Sequence, residues 1–562
     1  MVLAGLLVRV ALWHPLEVVG PAPDDGYVRV SGAIHMHTTL SDGGGTPEEL
    51  IAAGKAAGVD FIVITDHDNA DAKPLEGYHD RLLVLVGAEV STRQGHVLGL
   101  GIAKPTFCFS GDAWDALDDI RHLGGFAVIA HPIRPDPKDA VNWTAWDLPG
   151  PWGVEVINGH SQWLGASLGR RLLTGALMPV NAHYAFLRVA HRPDAMLKKW
   201  DELLQRRDVE GTVGPDAHSR VALSRKIAFR YPPYEPQLNG AQNHVLLDHP
   251  LVGEARKDGA AILEAVRQGH SYIAMDALAP GEGFEFVAEG AGRRATMGDT
   301  IPADPPPTLR VTGRMPAKAR VRLFHDGAVV REGPSPLTIQ GARPGVYRSE
   351  VSVPGWSMPW VISNPIYVFD DATRARRAAA GAWPAPTPAP PAHAVIDDFN
   401  GPTTFGAEFD PSSRMATPPI DPTGGVDGSA AARIAFRLGA PTPGHPYTWC
   451  ALVSRQARDL SGDRGLVFSV RADGVYRFWV QVRDENPRSS DEQTEWWFAS
   501  VRTSTAWQRV AIPFDRLFSL NAHTDGRVDL DKVRGLVFVL DQRAVPPGTE
   551  GTIWIDDLGV YQ

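Results

Sequence analysis

Between Tyr27 and about Tyr272, short apolar or β-branched runs alternate with amphipathic stretches, the pattern of an α/β domain built on a mostly parallel sheet or barrel. The runs 28–36, 60–65, 82–87, 97–102, 126–130, 153–157 and 209–214 are predicted strands. Thr46-Pro47-Glu48-Glu49 opens a predicted helix with a capping hydroxyl, a proline in the first turn and two early carboxylates, and Gly58 ends it. Beyond about residue 281, proline and glycine rise and helical periodicity fades. Alternating runs such as Arg320-Val321-Arg322-Leu323-Phe324 and Tyr347-Arg348-Ser349-Glu350-Val351 predict a small β-sandwich ending near Val368. The stretch Ala378 to Ala394 contains AWPAPTPAPPAHA and reads as a semi-rigid linker. From about 395 to 562 the pattern is again all β, with runs at Leu466–Val470, Tyr476–Val482 and Thr552–Ile555 that suit two stacked antiparallel sheets. The expected organisation is an N-terminal segment (1–26), an α/β catalytic domain (27–280), a small sandwich (281–371), a linker (372–394) and a C-terminal sandwich (395–562).

Length agrees with that division, since 562 residues exceed what one core supports. Met1 to Trp13 is apolar with Arg9 inside it, yet no small-x-small site follows before Gly20-Pro21, so a processed signal peptide is the less favoured reading. No run of about 18 to 20 uninterrupted apolar residues exists, and a complete membrane-spanning helix is not expected. A net charge of −10 without a Lys/Arg-rich run argues against a nucleic-acid polymer as partner. The two cysteines, Cys108 and Cys450, are expected in different domains, which disfavours a disulfide framework and a thiolate zinc site.

The candidate chemistry sits where predicted strands stop. In Ile34-His35-Met36-His37, residues two apart share a face, so both imidazoles can reach one ion. With 19 histidines in the chain one such pair can arise by chance, and its company decides the matter. Ser41-Asp42-Gly43 follows closely, and the apolar run Ile62-Val63-Ile64 ends in Thr65-Asp66-His67-Asp68. The pattern recurs at Glu89, at Gly95-His96, at His131 and at Asp216-Ala217-His218. A single polar residue at a strand end is as well explained by capping. Recurrence on successive strands points to one site at their carboxyl ends.

These residues carry a resemblance. IHMHTTLSDGGGTPEELIAAGKAAGVDFIVITDH, GAEVS, GHVLGLG, VIAHP and GPDAH are similar, in order, to the motifs of the PHP (polymerase and histidinol phosphatase) family. The resemblance implies a distorted seven-stranded (β/α)7 barrel with two or three divalent metal ions. His35, His37, Glu89 and Asp216 match the ligands of a first metal. Glu89 bridges to a second that His96 and His131 complete, and Asp42, His67 and His218 match a third. Asp42 stands where some relatives carry histidine and remains a hard oxygen ligand. A set of nitrogen and oxygen donors suits Zn, Mn or Fe. The implied reaction is hydrolysis by water activated between the ions. Asp216 and His218 are also candidates to move a proton, but ligation occupies a lone pair, so they are assigned as ligands first.

Arg134, three residues beyond His131, is a candidate partner for an anionic substrate, because a guanidinium fork matches phosphate. His160 and His183 are candidates to face the same pocket from later strand ends, whereas His79, His122 and His191 read as surface residues. Glu155, inside Val154-Glu155-Val156, could contact the site, but it reads more plainly as a strand glutamate paired with a neighbouring base and is left outside the ligand set.

SMPWVISNPIYV, after GVYRSEV, resembles the immunoglobulin-like extension of one PHP branch, which includes predicted phosphoesterases and a carbaryl-type carbamate hydrolase. VIDDFN, WQRVAIPF and GTIWIDDLGVY resemble the galactose-binding-like, jelly-roll sandwiches that include carbohydrate-binding modules. Trp449, Trp479, Trp496, Trp497 and Trp507 are then candidates to stack on sugar, against the commoner role of tryptophan in a sandwich core. Asp397, Asp398, Asp556 and Asp557 are candidates for a structural Ca²⁺ or simply strand ends. The expected function is metal-dependent phosphoesterase action on a small or surface-displayed phosphoester. The alternatives are a carbamate, ester or amide hydrolase with the same centre, and a carbohydrate-binding scaffold with a structural metal site. A linker and an added sandwich favour an extracytoplasmic setting over a cytoplasmic one.

Overall fold

The computed structural model describes residues 8–224, 227–489 and 492–562. The chain folds into two compact units. One comprises the chain up to Lys104 with Gly111–Pro384, and the other Pro105–Ser110 with Ala385–Gln562.

In the first unit the strands that matter for the site are β1 (Val28–Ile34), β2 (Phe61–Ile64), β3 (Leu82–Val86), β4 (Ala88–Thr92), β5 (Gly95–Leu100), β6 (Phe126–Ala130), β7 (Trp152–Asn158), β8 (Gly211–Gly214), β9 (Gln242–Leu247), β10 (Ser271–Ala274) and β11 (Val361–Ser363). Helix α1 (Pro47–Ala57) connects β1 to β2 and starts as its sequence requires. Thr46 and Glu49 form a reciprocal capping box, and Gly58 ends the helix with φ 72°. Later helices are α2 (Ala113–His122), α3 (Gly159–Gly165), α4 (Leu168–Leu177), α5 (Ala182–Val189), α6 (Asp194–Leu204) and α7 (Ala255–Arg267).

Hydrogen bonds distribute the strands over two sheets rather than one continuous ladder. One sheet runs β11-β10-β9-β1-β2-β3, and the other β8-β7-β6-β5-β4. The pairs β1/β2, β2/β3, β6/β7 and β7/β8 are parallel, whereas β4, β5 and β6 pair antiparallel. Strands β2, β3, β7 and β8 are buried along their whole length, as strands covered on both faces should be. At the carboxyl ends the sheets meet through isolated parallel pairs, His67 with Glu89 and Met36 with Ala217.

Strand β8 keeps a free edge, and two buried amides take the place of a neighbouring strand there. Asn243 accepts from Val213 N at 3.0 Å and donates to Val213 O at 2.7 Å. Asn364 accepts from Gly211 N at 2.7 Å and donates to Gly211 O and Ser271 O, each at 3.0 Å. A primary amide reproduces the donor and acceptor of a peptide unit, so both edge residues are satisfied without a ladder.

The join expected near residue 280 is a shared sheet. Ser271–Ala274 pairs antiparallel with Val361–Ser363, so the segment beyond 281 continues the sheet of the preceding domain. A second, four-stranded sheet of that segment contains Phe284–Gly290 and Thr308–Gly313. The expected linker begins as a helix, Asp371–Ala380, capped by the Asp370 side chain on Thr373 N. Its Ala- and Arg-rich sequence favours helix, and only the proline-rich part beyond Pro384 lacks regular structure.

The second unit is an antiparallel sandwich. A seven-stranded sheet containing Ala431–Arg437, Gly465–Ala472 and Glu550–Tyr561 lies over a six-stranded sheet containing Trp449–Ser454, Arg477–Glu485, Thr494–Arg502 and Val533–Asp541. Leu452, Phe468, Phe478, Trp497, Phe538 and Ile553 fill the space between them. Pro105–Ser110 belongs to this unit, with Cys108 N donating to Ala544 O at 3.0 Å. Cys108 and Cys450 therefore lie in the same unit, against the sequence expectation, although no disulfide joins them. Burial pushes the Cys450 thiol up to about 12.

Because Asn364 satisfies two strands at once, Asn364→Leu is expected to destabilise the first unit by about 2–4 kcal/mol, several buried backbone groups losing their partner together. Urea unfolding of the variant and the parent checks this, and an unchanged midpoint would refute the role given to the amide.

Candidate metal centre

All nine ligand candidates come together at one rim, formed by the carboxyl ends of β1, β2, β6 and β8 and the amino ends of β4 and β5. His35 and His37 follow β1, His67 follows β2, Glu89 lies in β4, His96 in β5, His131 follows β6, and Asp216 and His218 follow β8. Asp42 arrives on the loop between β1 and α1. Three of these residues hold left-handed backbone, His35 (φ 81°), His131 (φ 29°) and Asp216 (φ 51°), a conformation that costs energy for a side-chain-bearing residue. Strands β1, β6 and β8 thus end in sharp turns at His35, His131 and Asp216.

Glu89 lies at the middle, buried. Its Oε2 is 3.0 Å from both His35 Nε2 and His37 Nε2 and 3.5 Å from His67 Nδ1. Its Oε1 is 2.9 Å from His96 Nδ1 and 2.8 Å from His131 Nε2. Asp216 Oδ1 is 3.4 Å from His35 Nε2 and 3.3 Å from His37 Nε2. Donors bound at about 2.1 Å to one ion lie roughly 3.0 to 3.4 Å apart, and this set has that spacing. Asp42 Oδ1 is 3.2 Å from His218 Nε2 and 3.9 Å from both His37 Nδ1 and His67 Nε2. Three groups can hold an ion: His35, His37, Glu89 and Asp216; His37, Asp42, His67 and His218; and His67, Glu89 and His96. His37 joins the second of these, and its ring stacks between His67 and His218 at centroid distances of 4.5 and 4.2 Å.

The polar bookkeeping fits divalent ions. Both ring nitrogens of His37, Asp42 Oδ1, His67 Nδ1 and His131 Nδ1 are buried and make no hydrogen bond. Orphaned donors and acceptors at this density are costly unless a cation satisfies them. Titration in the metal-free state follows from the crowding. Burial disfavours charge on Glu89, but His35 and the other imidazoles outweigh it and hold the carboxyl well below its usual range. His37 resists burial through Asp216 and Glu89 and rises to about 9, while Asp42, despite burial, falls to about 2 beside His218.

A supporting layer surrounds these candidates. Glu155 is buried, accepts from His35 Nδ1 at 2.6 Å and from His131 N at 2.7 Å, and is steadied by Asn158 Nδ2 at 3.0 Å. Its carboxylate fixes the His35 tautomer so that Nε2 faces the cluster. It is therefore part of the site through His35, the less favoured of its two sequence readings; a charge within the otherwise apolar run Trp152–Ile157 was the available signal. Asp66 accepts from Thr38 N, Thr38 Oγ1 and Ser41 Oγ, which shapes the loop carrying Asp42. Tyr234 Oη donates to His37 O at 2.7 Å.

The remaining candidates divide. His160 lies on α3 with its ring 5.6 Å from that of His218, and burial lowers its pKa. His183 lies on α5 with its nearest carboxylate, Glu235, 3.9 Å away, and meets none of the nine. Arg134 Nε lies 3.2 Å from Asp139, although its charge is felt at His160. A cavity of about 140 Å³ opens beside Asp216, His218 and His160. Trp163, Met178, Phe186, Val189, Met275 and Met358 give it a mainly apolar wall, and Arg220 stands at its edge. In the sandwich unit, Asp397 accepts from Phe399 N and Thr403, and Asp556 from Val426 N, Ser429 and Asp557 N. The four candidate Ca²⁺ aspartates form no ion-binding group among the described residues.

No protein-family model and no curated protein matches the chain. Among solved structures, a two-domain protein from Bacteroides vulgatus described as containing a predicted PHP-like metal-dependent phosphoesterase is 16% identical, with a TM-score of 0.29, over 62% of this chain and 99% of that one. A family 11 carbohydrate-binding module from Clostridium thermocellum, solved with a beta-1,3-1,4-mixed-linked tetrasaccharide, is 16% identical, with a TM-score of 0.25, over 30% of this chain and 94% of that one. A family 30 module of a cellulosomal cellulase from the same organism is 18% identical, with a TM-score of 0.24, over 29% and 94%.

Glu155→Gln should weaken divalent-ion binding about 10- to 100-fold with the fold retained, measured by competition with a chromogenic chelator. In the metal-free protein the His37 proton stabilises the fold fully below about pH 6.5, and that contribution is lost as pH rises through about 9. Ion binding must displace this proton, so affinity should climb across the same interval, and calorimetry in buffers of different ionisation enthalpy should register proton release. A pH-independent affinity from 6.5 to 9 would contradict the assignment of His37.

Proposed function

We propose that this chain is a metal-dependent phosphoesterase whose substrate carries an apolar substituent. The observation that carries this reading is Glu89, whose two carboxylate oxygens meet two separate sets of imidazoles, an arrangement suited to neighbouring divalent ions. His35, His37, Glu89 and Asp216 would hold one ion, Glu89, His96 and His131 a second, and Asp42, His67 and His218 a third. Such ions, Zn, Mn or Fe by donor type, supply water activation and charge neutralisation.

The chain's own residues would do the rest. Asp216 and His218 border both cluster and cavity and orient what enters. His160, whose pKa burial lowers, is placed beside His218 and would accept a proton there as a general base. Arg134 and Arg220 would draw the anionic portion of the substrate to the rim, while Met178, Phe186 and Trp163 exclude water from the apolar portion. The two sheets read as halves of a distorted (β/α)7 barrel, and residues 281–371 as its immunoglobulin-like extension.

A second reading, hydrolysis of a carbamate, ester or amide, is favoured by the apolar wall itself. The scaffold reading is disfavoured by the three adjoining donor groups, because a purely structural role needs no multi-ion cluster. For the C-terminal sandwich we propose glycan binding in an extracytoplasmic setting. Trp449 and Trp496 are half-buried on the outer face of the six-stranded sheet, with Arg483 3.9 Å from the Trp496 ring centroid. Trp479 and Trp497 are core residues.

Elemental analysis should find two or three divalent ions per chain, with turnover of p-nitrophenyl phosphate or its bis ester. His67→Ala should lower that turnover about 10²- to 10³-fold. Turnover of p-nitrophenyl acetate alone would favour the carbonyl reading, and neither metal nor turnover would end the enzyme proposal. Trp496→Ala should abolish retention on a soluble β-glucan in affinity electrophoresis without changing the hydrolysis rate.

A further inference from the structure

The helices over the cavity differ in charge from the rest of the chain. From Gly159 to Pro193 there is no aspartate or glutamate, although the protein carries a net charge of −10, and Arg170, Arg171, Arg188 and Arg192 all fall within this stretch. The same is true up to Leu16, where Arg9 is the charged residue. These two acid-free segments pack together. Val10 is buried with Leu177, Met178 and Ala185, and Asn181 Nδ2 donates to Val10 O at 3.2 Å and Trp13 O at 2.8 Å.

Their outward face is apolar where a water-facing helix should be polar. On α4, Leu168 and Leu172 are 66% and 67% exposed, one turn apart, with Leu173 beside them, while Thr174 and Leu177 face inward. In the N-terminal turn, Val8 and Leu12 are 56% and 73% exposed on the side opposite Val10, and Val180 is also exposed. Six large aliphatics interleaved with arginines, without one carboxylate, form the pattern of an interfacial surface. No helix among the described residues is long and apolar enough to cross a membrane, so the face would lie on a bilayer and not span it. Met178, from the end of α4, and Trp163, from α3, also line the cavity that leads to Asp216 and His218.

We propose that this lid docks on an anionic lipid surface, its leucines in the acyl boundary and Arg9, Arg170 and Arg171 among the headgroups. The cavity then receives the apolar part of an ester presented from that surface, a clause that rests on the hydrolase reading above. The charge asymmetry selects the partner: an acid-free basic face complements anionic headgroups, and leucine exposure accounts for the apolar contribution.

Flotation of the full-length protein with vesicles tests the docking. It should float with equimolar phosphatidylcholine and phosphatidylglycerol and much less with phosphatidylcholine alone. Leu168→Glu with Leu172→Glu, and separately Arg170→Gln with Arg171→Gln, should each reduce binding about tenfold or more. Both double variants should keep the parent's melting temperature and its turnover of soluble p-nitrophenyl phosphate. No flotation, or equal flotation of the leucine variant, overturns the proposal. So does a dimer mass by light scattering that Leu168→Glu with Leu172→Glu converts to monomer while the parent ignores vesicles, because a second copy then covers the face. Flotation without turnover of any ester would leave the docking standing and defeat the hydrolase reading.

Discussion

One buried carboxylate organises the first unit. Glu89 sits with no exposure to solvent and five imidazoles within reach, and a lone carboxylate in that position would be neutral or expelled. Its ionised form is kept by the surrounding histidines, and those histidines can approach one another only because the carboxylate lies between them. Divalent ions resolve the same conflict more completely, since they satisfy the nitrogens that protons and hydrogen bonds leave orphaned. The centre is therefore a set of mutually dependent charges, each tolerable only with the others in place.

The fold supplies the rigidity this requires. Wholly buried strands end together at one rim, and left-handed turns at His35, His131 and Asp216 re-aim the chain where a straight strand would carry the side chain past the centre. Glu155 holds His35 and the His131 backbone, Asp66 holds the loop bearing Asp42, and Tyr234 holds the His37 carbonyl. Behind the rim, Asn243 and Asn364 serve as single-residue strand partners for β8, which carries Asp216 and His218 at its end. Loss of that edge pairing would reach the metal ligands through only a few residues of backbone.

The cavity gives the centre its direction. A polar end formed by Asp216, His218 and His160 opens into walls of methionine, phenylalanine and tryptophan, so the cavity is polar at one end and apolar at the other. Much of this wall comes from helices α3 to α5, and Ile157 of β7, Val213 of β8, Met275 and Met358 complete it.

Much was legible in the sequence where information is local. Apolar runs ending in His, Asp or Glu marked the strands and most of the nine candidates that the structure brings together, because a polar residue at a strand end leaves its mark within two or three residues. The capping box and Gly58 marked α1 for the same reason. What the tertiary structure decided was which distant residues meet. Glu155 and His35 lie 120 positions apart, and no local pattern distinguishes a carboxylate that steadies a ligand from one that pairs with a surface base. Cys108 joins the C-terminal sandwich through a six-residue excursion with no compositional signal. The strands occupy two sheets bridged by side-chain amides because closure depends on twist and edge pairing across the whole sheet, and the periodicity of a single strand carries no record of its neighbours.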